Sequence, residues 1–141
     1  MVMKNLLIFS MVFYAIYIWT LGLYMFRTRV RALKTGEVDA KYFKVYTGQP
    51  PSERTILVGR HYDNQFQVPL LFFIVCTLHF SSANVTTATL IFAWLFVVTR
   101  LGHSWVHLGS NIIKARVGFF IAGWVVVMLL WAQLVYHVLF L

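Results

Sequence analysis

QPPSERTILVGRHYDNQFQVPLLFFIVCTLHF, Gln49–Phe80, decides how this chain folds. Its cleanly apolar part, Val68 to Phe80, is 13 residues long, whereas a helix needs roughly 20 apolar residues to cross a hydrocarbon core about 30 Å thick. A span built here must begin earlier, and Gln49-Pro50-Pro51-Ser52-Glu53 reads as that beginning. Proline suits the first turn of a helix, and an acid suits its positive end. Such a helix carries Asn64 and Gln67 to membrane depth, with Arg60 and Asp63 near the headgroups. Polar groups at that depth are expensive in lipid and turn toward protein or water.

The remainder of the 141 residues fits a membrane setting. The chain is 60% apolar, 18% aromatic and only 11% charged, against about 25% charged in ordinary soluble chains, and its mean hydropathy is +0.76. A soluble domain this small has nowhere to hide so much apolar surface, and disordered chains are poor in these residues. Stretches at about 5–26, 85–107 and 117–141 join 60–80 as four spans of one integral membrane domain, with residues 27–59 as a long connection. The fold class expected is all-α, a transmembrane four-helix up-and-down bundle. The first stretch exceeds the roughly 7–15 residues of a signal-peptide core and no small-x-small cleavage site follows, so it reads as a retained anchor. Ser81–Thr87 and Gly109-Ser110-Asn111 supply short turns; Asn84-Val85-Thr86 matches a glycosylation pattern by chance, in a turn too tight to be a good acceptor.

Charge gives an orientation. The formal net charge is +8, and eleven of the twelve basic residues lie between spans one and two or around the turn between spans three and four, leaving Lys4 on the other side. The positive-inside rule then puts both connections in the cytoplasm and both termini on the non-cytoplasmic side. A basic balance of this size is also seen in nucleic-acid binders, but here the basic residues flank apolar runs, so no nucleic-acid partner is expected. The single cysteine, Cys76, lies within an apolar run and reads as a packing residue.

Helical phase turns the polar residues into a pattern. Arg60, Asn64 and Gln67 follow i, i+4, i+7 and fall within about 60° on one face. Arg100, His103 and His107 repeat that spacing on the third span, and Arg116 opens the fourth at a similar level. The two stripes together would make a cationic, donor-rich, partly dry pocket suited to an anionic ligand. Arg60 and Arg116, taken singly, also fit arginines that snorkel to headgroups, a reading that suits Arg100 less, seven residues inside its span. His79 and His137 read as hydrogen-bonded core histidines, His61 as solvated near the headgroups, and Gly118 with Ala122 as a close helix contact. No metal-ligand set is assigned.

These residues carry a family resemblance. Arg60-x-x-x-Asn64-x-x-Gln67 resembles the R-x-x-x-N-x-x-E signature of the MAPEG proteins, the membrane-associated proteins in eicosanoid and glutathione metabolism. Arg100-Leu-Gly-His103-Ser-Trp-Val-His107-Leu-Gly109 is similar to the R-x-x-H-x-x-x-Y-L-G stretch of the family's prostaglandin E synthase-like and glutathione transferase-like members. The resemblance covers essentially the whole chain. It implies a homotrimer that binds glutathione as co-substrate between neighbouring protomers and joins it to a lipophilic substrate arriving from the membrane lipids. By that resemblance Arg60, Asn64, Gln67, His103 and His107 bind the tripeptide. Arg116 and Arg100 are the candidate catalytic residues, Arg116 stabilising the thiolate. Three positions depart from the pattern: Gln67 replaces the glutamate, His107 replaces the tyrosine, and Asp63 stands where a basic residue is common.

The function expected is a glutathione-dependent membrane transferase or peroxidase acting on lipophilic electrophiles. A non-catalytic lipid-binding or scaffold protein of the same fold is the alternative, motivated by Gln67 and Asp63. A haem protein using His79 and His137 as axial ligands is a lesser one. A channel is disfavoured, because no continuous polar stripe crosses the bundle.

Overall fold

The chain is all helix and turn in a computed structural model that describes residues 2–140. Its elements run α1 (Val2–Lys34), α2 (Ala40–Val45), α3 (Glu53–Asp63), a 3-10 turn (Asn64–Phe66), α4 (Val68–Ser81), α5 (Thr87–Leu108) and α6 (Ile113–Phe140). The helices α1, α5 and α6 are each long and apolar enough to cross a membrane, and the fourth layer is the α3–α4 pair. The bundle is closed by packing of α5 on α6, α1 on α3 and α5, and α4 on α6.

The 49–80 segment departs from the single helix that its sequence suggests. The helix α3 does begin after Ser52, with Glu53 in its first turn. It stops at Asp63, tightens into the 3-10 turn, and Gln67 leaves the helical region (φ −100°, ψ −101°) before α4 starts. The cause is Pro69, which lies in the first turn of α4. In an unbroken helix its ring would collide with the carbonyl of Gln65 and its missing N–H would leave that carbonyl unpaired. Non-helical backbone at membrane depth survives only where protein covers it. Gln65 is accordingly buried; it accepts a hydrogen bond from Tyr14 Oη (2.7 Å) and donates through Nε2 to the His61 carbonyl (2.9 Å).

The core centres on aromatic rings. Phe72 stacks on Phe96 with centroids 4.4 Å apart, and Tyr14 meets both edge-on. Around them lie Leu7, Val75, Cys76, Val97, Val127 and Leu130, all buried. Cys76 is thus a packing residue. His79 fastens the end of α4: its Nδ1 lies 2.9 Å from the Asn84 carbonyl and its Nε2 3.1 Å from that of Leu130. Both ring nitrogens face backbone carbonyls, and a neutral ring donates to one of them, the contact expected of a histidine that fastens helix ends in the core.

Lipid supplies no hydrophobic drive between helices, so association depends on close packing at small residues. Gly118 and Ala122 face outward from the chain. The close approach is made instead at Gly123, where an added Cβ would meet Thr99 Oγ1 at 3.1 Å and Arg100 Cδ at 3.5 Å. Gly102 does the same on α5, against the ring of Phe119. Gly123 therefore makes room for the Arg100 side chain to lie between α5 and α6.

The connection folds back onto the start of α3. The Glu37 carboxylate accepts from the Ser52 N–H (2.6 Å) and the Thr55 hydroxyl (3.3 Å), placing a negative charge where the helix dipole is positive. The Ser52 hydrogen bonds hold the Glu37 carboxyl below its ordinary pKa. Arg29 lies over the Phe43 ring at 5.3 Å, tying α2 to α1, and Arg54 donates to the Leu108 carbonyl and to Tyr24 Oη.

Two outcomes follow. Gly123→Ala should be nearly neutral in denaturant unfolding of the detergent-solubilised protein, because better helix propensity offsets a tight contact. Gly123→Leu should lose about 2 kcal/mol by overpacking. For Glu37, the lowered carboxyl pKa means that the contact is complete above the ordinary carboxylate range and lost as pH falls through the lowered value. Exchange at the Ser52 amide, corrected for its intrinsic rate, should rise over that interval and be raised already at neutral pH in Glu37→Gln.

Candidate functional site

The spacing of α5 puts Arg100, His103, Ser104 and His107 on its inward face, and all four are buried. Opposite them, α3 turns Val58 and His61 inward and leaves Arg60 and Asp63 outside the core. The break after α3 then carries Asn64 and Gln67 around the same edge. The result is a cavity of about 510 Å³, bounded by Arg60, Asn64 and Gln67 on one side and by His103, His107 and Arg116 on the other. Asp63, Asn111, Leu57, Val117 and Phe120 complete its wall. Six of the seven residues singled out in the sequence share this one space.

Arg100 is the seventh, and it does not line the cavity. Its side chain is wholly buried between α5 and α6, its guanidinium carbon 5.8 Å from the Phe120 ring centroid. None of its three side-chain nitrogens has a hydrogen-bond partner. A buried charge is ordinarily paired, because removing it from water costs several kcal/mol. Among the described residues no carboxylate approaches it; its neighbours in electrostatic reach are Tyr14, Tyr17, His61, His103 and His107. The guanidinium thus sets a positive field in a poorly screened interior from behind the cavity wall.

Arg116 is held differently. It donates from Nη1 to Asn111 Oδ1 (2.9 Å), and Asn111 takes the left-handed conformation (φ 50°) that closes the α5–α6 turn. Asparagine tolerates that conformation better than most residues. This contact uses one of five N–H donors. The Arg116 carbonyl also accepts from His103 Nδ1 (3.1 Å), fixing that ring's orientation.

The histidines show what sequence spacing missed. His61, read as solvated, is 1% exposed. Its Nδ1 lies 3.1 Å from His107 Nδ1, and its ring stacks on His103 at 5.7 Å between centroids. The Gln65 amide faces His61 Nε2 at 3.4 Å. A signal was present: Val58, His61, Gln65, Val68 and Phe72 are spaced 3, 4, 3, 4, the pattern of a core-facing stripe. The more polar Arg60, Asn64 and Gln67 lie on the adjoining face and drew attention from it.

A second, apolar space of about 710 Å³ opens on the neighbouring side of α5, lined by Tyr17 and Leu21 of α1 and by Leu101, Ser104, Trp105 and Leu108 of α5. The same helix therefore offers imidazoles to a polar cavity and aliphatic and aromatic groups to an apolar groove.

No curated protein and no solved structure matches the chain. The MAPEG family model matches residues 7–136, nearly the whole length. With a membrane-spanning helical bundle, two polar stripes brought to one cavity and a match running from the first helix into the last, the chain is a member of the MAPEG family.

Proposed function

We propose that this integral membrane protein is a glutathione-dependent transferase or peroxidase for lipophilic electrophiles. The observation that carries the reading is the shared cavity: two arginines, two histidines and three amide side chains converge on one space whose single acid is Asp63. Glutathione is an anion rich in carboxylate and amide groups, and guanidinium–carboxylate pairs are among the strongest charge-assisted contacts. In this reading Arg60, Asn64 and Gln67 take the tripeptide's polar backbone, with His103 and His107 across from them. Arg116 supports the sulfur, since a guanidinium beside a thiol raises its thiolate fraction, and the thiolate is the nucleophile. Arg100 contributes its field from behind.

For a transferase step, the thiolate sulfur forms a bond to the electrophilic carbon while that carbon's leaving group departs with its electron pair. The apolar groove beside α5 is the route for a substrate dissolved in the bilayer. We place the connections on the cytoplasmic side, where glutathione is abundant, and three copies of the chain around the membrane normal, as the family resemblance implies.

The alternative, a lipid-binding scaffold without catalysis, is favoured by Asp63 and Gln67 on the same wall. The first would repel carboxylates and the second lacks a charge for the ligand's ammonium group.

Calorimetry of the detergent-solubilised protein should show saturable glutathione binding. Arg60→Ala should weaken it about tenfold, the loss of one charge-assisted hydrogen bond. Turnover of chlorodinitrobenzene should fall in Arg116→Ala chiefly through kcat. Arg100→Met separates stability from function. Because the charge it removes is buried and unpaired, the variant should unfold no earlier than the parent while binding glutathione more weakly. Absence of saturable binding at millimolar glutathione, with a lipid copurifying, would favour the scaffold instead.

A further inference from the structure

We infer that His61, His103 and His107 form a binding site for a divalent late transition-metal ion such as zinc, with an open coordination position toward the polar cavity. The three side chains are buried, and each offers one ring nitrogen such that all three nitrogens lie within 4.8 Å of one another. Two of them, the Nδ1 atoms of His61 and His107, are already 3.1 Å apart. In a tetrahedral site with metal–nitrogen bonds of 2.0–2.1 Å, ligand nitrogens stand about 3.4 Å apart. The near pair thus has the spacing of a metal site, with an ion displacing the proton the two nitrogens share, and the widest gap closes with a shift of about 1.4 Å, within reach of ring rotation.

The surroundings of His103 point the same way. Its Nδ1 donates to the Arg116 carbonyl at 3.1 Å, the backbone contact that metal-bound histidines characteristically make through their second nitrogen. Its other nitrogen, Nε2, is buried and has no partner. Three neutral imidazoles suit zinc or copper, and a three-histidine set leaves a fourth position for water or an anion. His103 and His107 both line the cavity, so that position faces it. The sequence concealed the site because the third ligand is on α3, more than forty residues before the other two.

The Arg100 guanidinium lies in electrostatic reach of all three rings and opposes a second cation. This gives the site its own signature. An anion in the open position should strengthen metal binding, and Arg100→Met should strengthen it too, the opposite of that variant's expected effect on glutathione. The site shares His103 and His107 with the glutathione reading, but its test reads metal coordination and not thiol binding, so the failure of one is distinguishable from the failure of the other.

The test is Co2+ titration of the full-length, chelator-treated protein in detergent. The expected result is intense visible d–d bands saturating at one ion per chain, displaced by Zn2+. Affinity should fall at least 100-fold in His61→Ala and His103→Ala, be unchanged in His137→Ala and rise in Arg100→Met. Should the histidine variants not fold, Cu2+ on the parent protein serves, its electron paramagnetic resonance showing coupling to three imidazole nitrogens. Absence of d–d bands at sub-millimolar Co2+, bands that persist in folded His61 and His103 variants, or copper coupled to fewer than three nitrogens would each overturn the site.

Discussion

The burial of Arg100 without a counter-charge among the described residues is the constraint around which the interior is arranged. A guanidinium between α5 and α6, with no hydrogen-bond partner on any nitrogen, is tolerable only if what surrounds it is held firmly and something anionic can approach. The fold meets the first condition with Gly123, which lets α6 close over the arginine stem, and with the Phe120 ring beside its charge. The cavity meets the second by leaving a polar space on the far side of the histidines. Charge, close helix contact and cavity thus adjoin one buried side chain.

The broken second layer is equally tied to function. Had α3 and α4 been one helix, Pro69 would have stranded the Gln65 carbonyl in its interior. The break frees the segment to turn Asn64 and Gln67 toward the cavity. The buried Gln65 meanwhile links Tyr14 of α1 to the His61 carbonyl. A polar chain then runs from the aromatic centre of the bundle to the histidines, each link a satisfied hydrogen bond. Buried networks of this kind fix a single arrangement because any partial rupture strands a polar group in low dielectric.

Composition and helical phase were enough to read the membrane class, the start of α3 and the two stripes that meet at the cavity, since each depends on local periodicity. What they missed depends on contacts between distant segments. Pro69 was visible but its effect was masked by the apolar run it opens. His61 reads as solvated from its nearness to the headgroups, whereas its register with Val58 and Gln65 places it in the core. Gly118 and Ala122 have the right spacing for helix contact, yet only the relative rotation of α5 and α6 shows that Gly123 holds that place. Arg100 has the phase of its stripe but sits too deep to share its surface.

The most direct trial of the central claim is a high-resolution density map of the purified protein with glutathione. The account predicts tripeptide density in the cavity, carboxylates within hydrogen-bond distance of Arg60, and sulfur toward Arg116. A map in which Arg60 and Arg116 splay outward into the detergent belt, with aliphatic side chains or acyl chains filling the space between α3 and α5, would contradict it.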